Sequence, residues 1–223
     1  MAATAFLLAA GLGTRLRPLT LTTPKPLLPV RGVPLLDHAL AHLRAHGHQE
    51  IVVNAFWLAE QIVAWAKDKP GITVVVESPV ILGTGGGLQA ARHLLAERFV
   101  VLNGDILSDV DLTALWNEPA PAVMAVRAQV EPVHTGLTLT FDTAASGVVG
   151  GITGIVGEGN PVLHFTGVHV LDRDVLDLVP PTGESCIVRT AYRTLIPQGR
   201  VRGRLHPGEW KDIGTLPEYE SVR

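Results

Sequence analysis

The sequence contains very little cysteine, since Cys186 is the only one among 223 residues. A single cysteine excludes a disulfide within the chain and a zinc site built from several thiolates. The lack of a disulfide framework is typical of a reducing compartment. Residues 4–8 are strand-like and follow no basic leader, which argues against a secretory signal. We therefore expect a cytoplasmic protein.

Basic runs and long apolar stretches are also missing. The 18 Lys and Arg residues are dispersed and the formal net charge is −3, so nucleic acid and anionic membranes are not expected as partners. No uninterrupted run of about 18 apolar residues occurs, so no segment is predicted to span a membrane. Hydrophobic residues, in contrast, make up 47% of the chain, which is enough to bury a sizeable core.

Strand-like and helix-like segments alternate in the first half of the chain. Short apolar and β-branched runs predict strands at residues 3–9, 50–54, 72–77 and 99–102. Apolar positions at helical spacing predict helices at residues 34–46, 57–67 and 84–96. This alternation predicts an α/β fold with a parallel sheet covered on both faces.

The second half has shorter and more alternating segments. Strands are predicted at residues 122–129, 137–141, 147–155 and 162–171, and helices near 173–178 and 186–197. Because no linker or repeat separates the halves, we expect one domain over residues 1–223, with parts 1–120 and 121–223. Ligands of open parallel sheets bind beyond the carboxyl ends of the strands, so a site is expected after residues 9 and 102.

A glycine-rich loop follows the first predicted strand. Gly11 and Gly13 would let backbone amides approach phosphate oxygens, while Arg15 and Lys25 supply two cations. The loop matches neither the dinucleotide fingerprint nor the P-loop, because Leu16 stands where the former needs glycine and no Gly-Lys-Ser/Thr ends it. Taken alone, the two glycines favour a structural turn.

Asp105 directly follows the predicted strand 99–102, at the edge where ligands gather. Aspartate is a hard oxygen ligand that suits Mg²⁺. The bare tripeptide 103–105, Asn-Gly-Asp, is more often a turn. A second glycine cluster at 82–87 is compatible both with a base lying flat on the backbone and with an ordinary helix entry capped by Thr84.

Four motifs in this order resemble the signature of the sugar-1-phosphate nucleotidyltransferases, and they span nearly the whole chain: 8–27, 82–87, 103–105 and 210–215. The resemblance implies a Rossmann-like nucleotidyltransferase fold, with a mostly parallel central sheet and a small mixed-sheet lobe. It also implies Mg²⁺ dependence and the release of pyrophosphate by in-line displacement. The partners would be a nucleoside triphosphate and a sugar 1-phosphate, bound by parts 1–120 and 121–223 respectively.

The resemblance also implies roles for individual residues. The catalytic cations would be Arg15 and Lys25, and the metal ligands would be Asp105 and Asp212. The nucleotide would be bound by Leu8, Ala10, Gly11, Gly13, Thr14, Ser78, Gly83 and Thr84. The sugar would be bound by Gly136, Thr166 and Gly167.

The substrates are less sharply indicated. Ser78 stands where uridine- and thymidine-using members often carry Gln, and residues 157–161 lack the lysine with which many members grip the sugar phosphate. The compact length is similar to that of the members acting on N-acetylmuramate 1-phosphate, so UTP with that sugar is expected. Alternatives are GTP with mannose 1-phosphate, a cytidylyltransferase acting on phosphocholine or a similar ester, and a non-catalytic sensor.

Two other features are predicted to be structural. His38, His42 and His46 fall four apart on one helix and are expected to form a solvated edge without a bound metal, because a complete ligand set is not evident. Glu77 has the chemistry to accept a hydrogen bond from a guanine edge, but a solvent-facing position on the strand 72–77 is the prediction.

Overall fold

The computed structural model describes residues 2–128, 138–143, 148–156 and 163–223. The strands, in chain order from β1 to β13, are Ala3–Leu8, Pro29–Val30, Val33–Pro34, Ile51–Ala55, Ile72–Val76, Leu95–Asn103, Ile106–Ser108, Ala122–Ala128, Thr138–Thr143, Val149–Val156, Leu163–Asp172, Val201–Leu205 and Trp210–Asp212. The α-helices, from α1 to α6, are Leu35–Ala45, Ala59–Ala66, Gly83–Ala90, Leu112–Trp116, Arg193–Leu195 and Leu216–Glu220.

Nine of the described strands form one sheet in the order β5-β4-β1-β6-β11-β8-β12-β10-β9. Strands β5, β4, β1 and β6 are mutually parallel, β11 is antiparallel to β6, and β8 and β12 are again parallel to each other. This arrangement confirms the predicted α/β class. The sheet contains strands from both 1–120 and 121–223, whereas the division of roles between these parts stays a prediction.

The parallel half forms because its strands are apolar on both faces. On β1, Phe6 packs into one core cluster with Phe99 and Tyr192, whereas Leu7 packs into the cluster on the opposite face. Successive side chains of a strand point to opposite faces, so each must find an apolar partner. Helix α1 covers the Leu7 face with its buried apolar stripe, which includes Leu36 and Leu43.

One predicted helix is too long and several short elements were not predicted. The helix expected over 84–96 ends at Ala90, and the chain enters β6 at Leu95. Leu95 is fully buried in the core as the first residue of β6. Its apolar side chain was therefore counted toward the predicted helix although it belongs to the strand. The strands β7 and β13 were missed because three residues give no readable period, and β12 was missed because its five residues include two arginines and a glycine instead of an apolar run.

Strands β7 and β13 form a small antiparallel pair outside the main sheet. The pair connects residues that directly follow the carboxyl end of β6 with a segment near residue 210. It therefore brings the second half of the chain back to the edge where β1, β4 and β6 end. No helix in the described part of the chain is long and apolar enough to cross a membrane.

Candidate active site

The carboxyl ends of β1, β4 and β6 meet at one edge of the sheet, where a pocket of about 230 Å³ opens. The residues that line the pocket come from the ends of these strands, from the segments that follow β1, β5 and β6, and from the start of α3: Leu8, Ala9, Ala10, Gly11, Lys25, Pro26, Asn54, Ile81, Gly83, Thr84, Asn103 and Asp105. This is the position at which open parallel sheets bind ligands. The structure thus brings most of the predicted nucleotide-binding and cationic residues to one cavity.

The glycine loop turns sharply at Gly13, whose φ is +61°. A Cβ atom there would lie 2.8 Å from Thr20 Cγ2 and 3.2 Å from Lys25 Cβ, so the close approach requires glycine. The Thr20 hydroxyl donates a hydrogen bond to the Gly13 carbonyl over 2.8 Å. Leu16 is fully buried and anchors the far end of the loop. The turn therefore holds the segment around Lys25 against the loop.

Gly11, by contrast, has no atom of the described residues within 4 Å of the position that a Cβ would take. Gly11 is exposed and lines the pocket, as a residue whose backbone faces a ligand would. Thr14 and Arg15 are exposed at the start of the short helical turn Thr14–Leu16. The Arg15 guanidinium packs over Gly214, with Nη2 3.1 Å from the position of a Cβ there.

Lys25 is buried, and its ammonium joins the two predicted metal ligands. Its Nζ donates to Asp105 Oδ2 over 2.5 Å and lies 4.0 Å from Asp212 Oδ1. Both carboxylates are about one-third exposed, so they remain accessible at the pocket edge. The three residues come from distant parts of the sequence, and their convergence is a property of the fold.

Asp212 reaches this position through the β7–β13 pair. In the register of that pair Asp212 lies opposite Ile106, and the Ile213 amide donates to the Asp105 carbonyl over 3.2 Å. Burial raises the pKa of Asp212 to about 6, and the neighbouring Asp105 carboxylate adds to the increase. Lys25 and Arg15 act in the opposite direction. Two close carboxylates that share one cation have the donor chemistry that fits a hard divalent ion.

The loop after β5 forms the other wall of the pocket through Ile81, Gly83 and Thr84. Gly83 has φ +69°, and a Cβ there would lie 2.6 Å from the Ser185 carbonyl oxygen. The Ser185 amide donates to the Leu82 carbonyl over 2.8 Å, so this loop is fastened to the segment around residue 185. Ser78 is exposed and is not among the described residues that line the pocket.

The prediction that Glu77 faces solvent was wrong. Glu77 is 4% exposed, and its carboxylate accepts hydrogen bonds from Asn54 Nδ2 over 2.7 Å and from the Leu82 amide over 2.6 Å. The strand ends at Val76, and the following loop folds over Glu77. Asn54, which sequence reasoning gave no role, lines the pocket beside it. The sequence contained a signal for Asn54, because a polar residue near the end of an otherwise apolar strand is unusual.

Two of the three predicted sugar-binding residues, Thr166 and Gly167, lie on β11. Gly167, with φ +79°, packs against Asn103, whose Nδ2 would be 2.6 Å from a Cβ at Gly167. Thr166 is fully buried, and its hydroxyl donates to the Ala125 carbonyl over 2.9 Å, so its side chain is used inside the fold. Gly136 lies outside the described residues.

The histidine row is more deeply embedded than predicted. Nε2 of His38 lies 2.8 Å from the Val30 carbonyl and Nε2 of His42 lies 2.7 Å from the Val110 carbonyl, and both side chains are partly buried. The expectation of a solvated helix edge was therefore wrong, because these imidazoles connect α1 to β2 and to the segment that contains Val110. Among the described residues, no group of three or more His, Cys, Asp or Glu side chains is placed to hold a metal ion.

Known structures share this fold over its full length. The protein superimposes on a crystal structure of UDP-glucose pyrophosphorylase with a TM-score of 0.85, at 20% identity, covering 100% of this chain and 97% of the other. The fold is therefore that of the nucleotidyltransferases, as predicted. The chain belongs to the family described as the MobA-like NTP transferase domain, whose model matches residues 5–190.

Curated relatives narrow the class within that family. The chain is 36% identical over 224 aligned residues to N-acetylmuramate alpha-1-phosphate uridylyltransferase of Neisseria meningitidis serogroup B, covering 95% of this chain and 93% of the relative. It is 30% identical to mannose-1-phosphate guanylyltransferase of Mycobacterium tuberculosis, covering 96% of this chain but 62% of the relative. The protein is a sugar-1-phosphate nucleotidyltransferase, which confirms the family predicted from the four motifs.

Proposed function

We propose that this enzyme transfers a uridylyl group from UTP to N-acetylmuramate 1-phosphate. The observation that carries this choice is the similarity to the Neisseria meningitidis enzyme, which extends over nearly the whole of both chains. The Mycobacterium tuberculosis guanylyltransferase is less similar and is matched over only 62% of its length. We also propose that the enzyme is cytoplasmic, because a chain with a single cysteine has no disulfide framework, as is typical of a reducing compartment.

The reaction would be a single in-line displacement. An oxygen of the sugar 1-phosphate attacks the α-phosphorus of the triphosphate, a new P–O bond forms, and the bond to pyrophosphate breaks. The attacking oxygen is already anionic, so no general base is required. Lys25 and Arg15 would offset the negative charge that moves to the leaving pyrophosphate.

Asp105 and Asp212 would hold Mg²⁺, which supplies further charge neutralisation on the phosphates when bound. Support for this assignment comes from the close approach of both carboxylates to Lys25 Nζ and from the raised pKa of Asp212, to which the Asp105 carboxylate contributes. The triphosphate is proposed to contact Gly11, Gly13 and Thr14, because all three lie on the glycine loop and Gly11 lines the pocket. Gly167 and Thr166 are proposed to present backbone rather than side-chain atoms to the sugar.

The alternative with GTP and mannose 1-phosphate rests on the similarity to the Mycobacterium tuberculosis enzyme, at 30% identity. Ser78 is exposed, and both carboxylate oxygens of Glu77 are engaged, so neither side chain is placed to read one particular base. Base choice would then depend on backbone atoms between Ile81 and Thr84, which line the pocket.

The test is pyrophosphate release from UTP, GTP, CTP and dTTP, each paired with N-acetylmuramate, N-acetylglucosamine, glucose and mannose 1-phosphates. We expect the highest kcat/KM for UTP with N-acetylmuramate 1-phosphate. A site that leaves a polar group of the wrong base unpaired can reject it by up to ~10⁴. A higher value for GTP with mannose 1-phosphate would replace the proposal by the alternative, and equal values for UTP and GTP would show that the base is not read.

A further inference from the structure

Two buried polar side chains lie behind the pocket, at the ends of adjacent strands. Asn54 is 2% exposed at the end of β4, and Glu77, 4% exposed, directly follows β5. Asn54 Nδ2 donates to Glu77 Oε1 over 2.7 Å. Burying a carboxylate costs free energy unless the carboxylate accepts hydrogen bonds. The groups that donate to this pair therefore indicate what the pair does in the fold.

The pair holds the two loops that form opposite walls of the pocket. On one side, Asn54 Oδ1 accepts from the Ala9 amide, over 2.7 Å, at the start of the glycine loop. On the other, Glu77 Oε2 accepts from the Leu82 amide over 2.6 Å, immediately before Gly83. A chain of three hydrogen bonds therefore runs from Ala9 through both side chains to Leu82.

Helix α3 approaches this chain closely through a glycine. A Cβ at Gly87 would lie 2.7 Å from Glu77 Oε1 and 2.8 Å from Asn54 Nδ2, closer than atoms of real side chains come. Helix α3, which begins at Gly83 in the pocket wall, therefore packs directly against Asn54 and Glu77. A movement of either side chain would be transmitted both to this helix and to the loop at Ala9.

We propose that Asn54 and Glu77 are positioning residues that fix the separation of the two nucleotide-binding loops, and thereby the affinity for the triphosphate. They would act through the backbone amides of Ala9 and Leu82, without contact between the Glu77 carboxylate and the nucleotide. This inference rests on the proposed function, because it presumes that the pocket binds a nucleoside triphosphate. It assigns a role that the four sequence motifs do not contain.

The chemistry of the pair allows a test in which the hydrogen-bond chain is broken and then rebuilt. In wild type, the two oxygens of Glu77 accept from Asn54 Nδ2 and from the Leu82 amide. Glu77→Gln replaces one of these oxygens by an N–H₂ group, which then faces one of the two donors and cannot accept from it. Asn54→Asp leaves two carboxylates facing each other. The double variant restores the chain, because the introduced amide donates to the introduced carboxylate and its carbonyl still accepts from Leu82 N–H.

We expect each single variant to weaken triphosphate binding by about tenfold, the size of one well-made hydrogen bond. The double variant should return to within about threefold of the wild-type affinity if the pair is coupled. Binding is measured by calorimetric titration with UTP, or with whichever triphosphate binds most tightly, and KM is measured for both substrates. KM for the triphosphate should change much more than KM for the sugar 1-phosphate. Glu60→Gln, an exposed glutamate on α2, is the matched control.

Unchanged triphosphate affinity in Glu77→Gln, or a double variant as weak as the two single effects combined, would overturn the inference. Equal increases in both KM values would also overturn it, since they would indicate a general loss of structure. The proposed function can fail separately. If triphosphate binding is weakened in both single variants and restored in the double variant, but N-acetylmuramate 1-phosphate is not turned over, the positioning role is supported and the proposed acceptor is removed.

Discussion

At the scale of single residues, Lys25 and the two aspartates depend on one another. The Lys25 ammonium is buried between Asp105 and Asp212, at 2.5 and 4.0 Å. A buried ammonium needs opposing charge, and two neighbouring carboxylates need a cation between them. Lys25 therefore stabilises the two carboxylates, in addition to the role in the reaction that is proposed for it.

Replacing Lys25 should separate these two contributions. In Lys25→Ala we expect kcat/KM to fall by at least about 10², comparable to the loss of one key electrostatic group. Without divalent metal the melting temperature should also fall, because the carboxylates then face each other, and added Mg²⁺ should restore part of it. Thermal unfolding with and without metal checks this, with the exposed Lys67→Ala as control. A variant that melts early but turns over normally would assign Lys25 a structural role alone.

Asp105 gives a second prediction at this scale, concerning metal dependence. Activity should vanish in EDTA and return with Mg²⁺ or Mn²⁺, and Asp105→Asn should lower kcat by at least about 10². Because the side chain is partly exposed, the fold should survive. Steady-state kinetics and circular dichroism test both points against Asp68→Asn, an exposed aspartate. Undiminished turnover in chelator would remove the metal assignment.

At the scale of elements, the entry to α3 and the segment around residue 185 hold each other. The amides of Gly85 and Gly86 both donate to the Ser185 carbonyl, over 2.8 and 3.3 Å, and the Ile187 amide donates to the Thr84 hydroxyl over 3.1 Å. The pocket wall formed by Gly83 and Thr84 is therefore supported by a segment about a hundred residues later in the chain. Glycine makes this contact possible, since side chains would keep the two backbones apart.

Gly83→Ala should consequently disturb the pocket wall. Alanine at φ +69° costs about 1 kcal/mol or more in backbone strain, and its Cβ would additionally lie 2.6 Å from the Ser185 carbonyl oxygen. We expect a lower melting temperature and weaker triphosphate binding than in Gly47→Ala, where φ is +87° but a Cβ would meet no atom within 4 Å in the described part of the chain. Equal effects of the two substitutions would show that strain alone matters.

The elements also show how far the sequence alone was sufficient. β1 was predicted from a short apolar run, and α1 from apolar residues that recur at helical spacing over eleven residues. The β7–β13 pair was not, since each strand has three residues. Asp212 was assigned by motif resemblance, but its proximity to Asp105 follows only from that pairing. Glu77 was misplaced because local alternation does not reveal that a following loop will cover a strand end.

At the scale of the whole molecule, one core contains a histidine held in its neutral form. His169 is 1% exposed on β11, and its Nδ1 shares a hydrogen bond with the hydroxyl of the fully buried Tyr192. Burial lowers the pKa of His169 to about 3, from an ordinary value of 6.5. The unfolded chain therefore binds a proton at this residue over a pH range in which the folded protein does not.

Stability should fall in acid for this reason. Above pH 6.5 the contribution of His169 is fully present, and between pH 6.5 and 3 the free energy of unfolding should decrease by up to about 1.4 kcal/mol per pH unit. Urea unfolding from pH 8 to pH 5 measures this. His169→Asn should be less stable at pH 7, but its deficit should narrow on acidification because asparagine does not titrate. Parallel curves for the two proteins would contradict the assignment.

The β7–β13 pair has a consequence for how the enzyme is made. A ribosome synthesises Lys25 and Asp105 long before Asp212, and early segments of a chain can begin to fold while later ones are still being translated. Until residues 210–212 emerge and pair with β7, a nascent chain can already have its glycine loop but only one of the two carboxylates beside Lys25. Polypeptides released before that point would lack Asp212 and the β7–β13 pair, so premature termination should yield inactive fragments rather than partly functional ones.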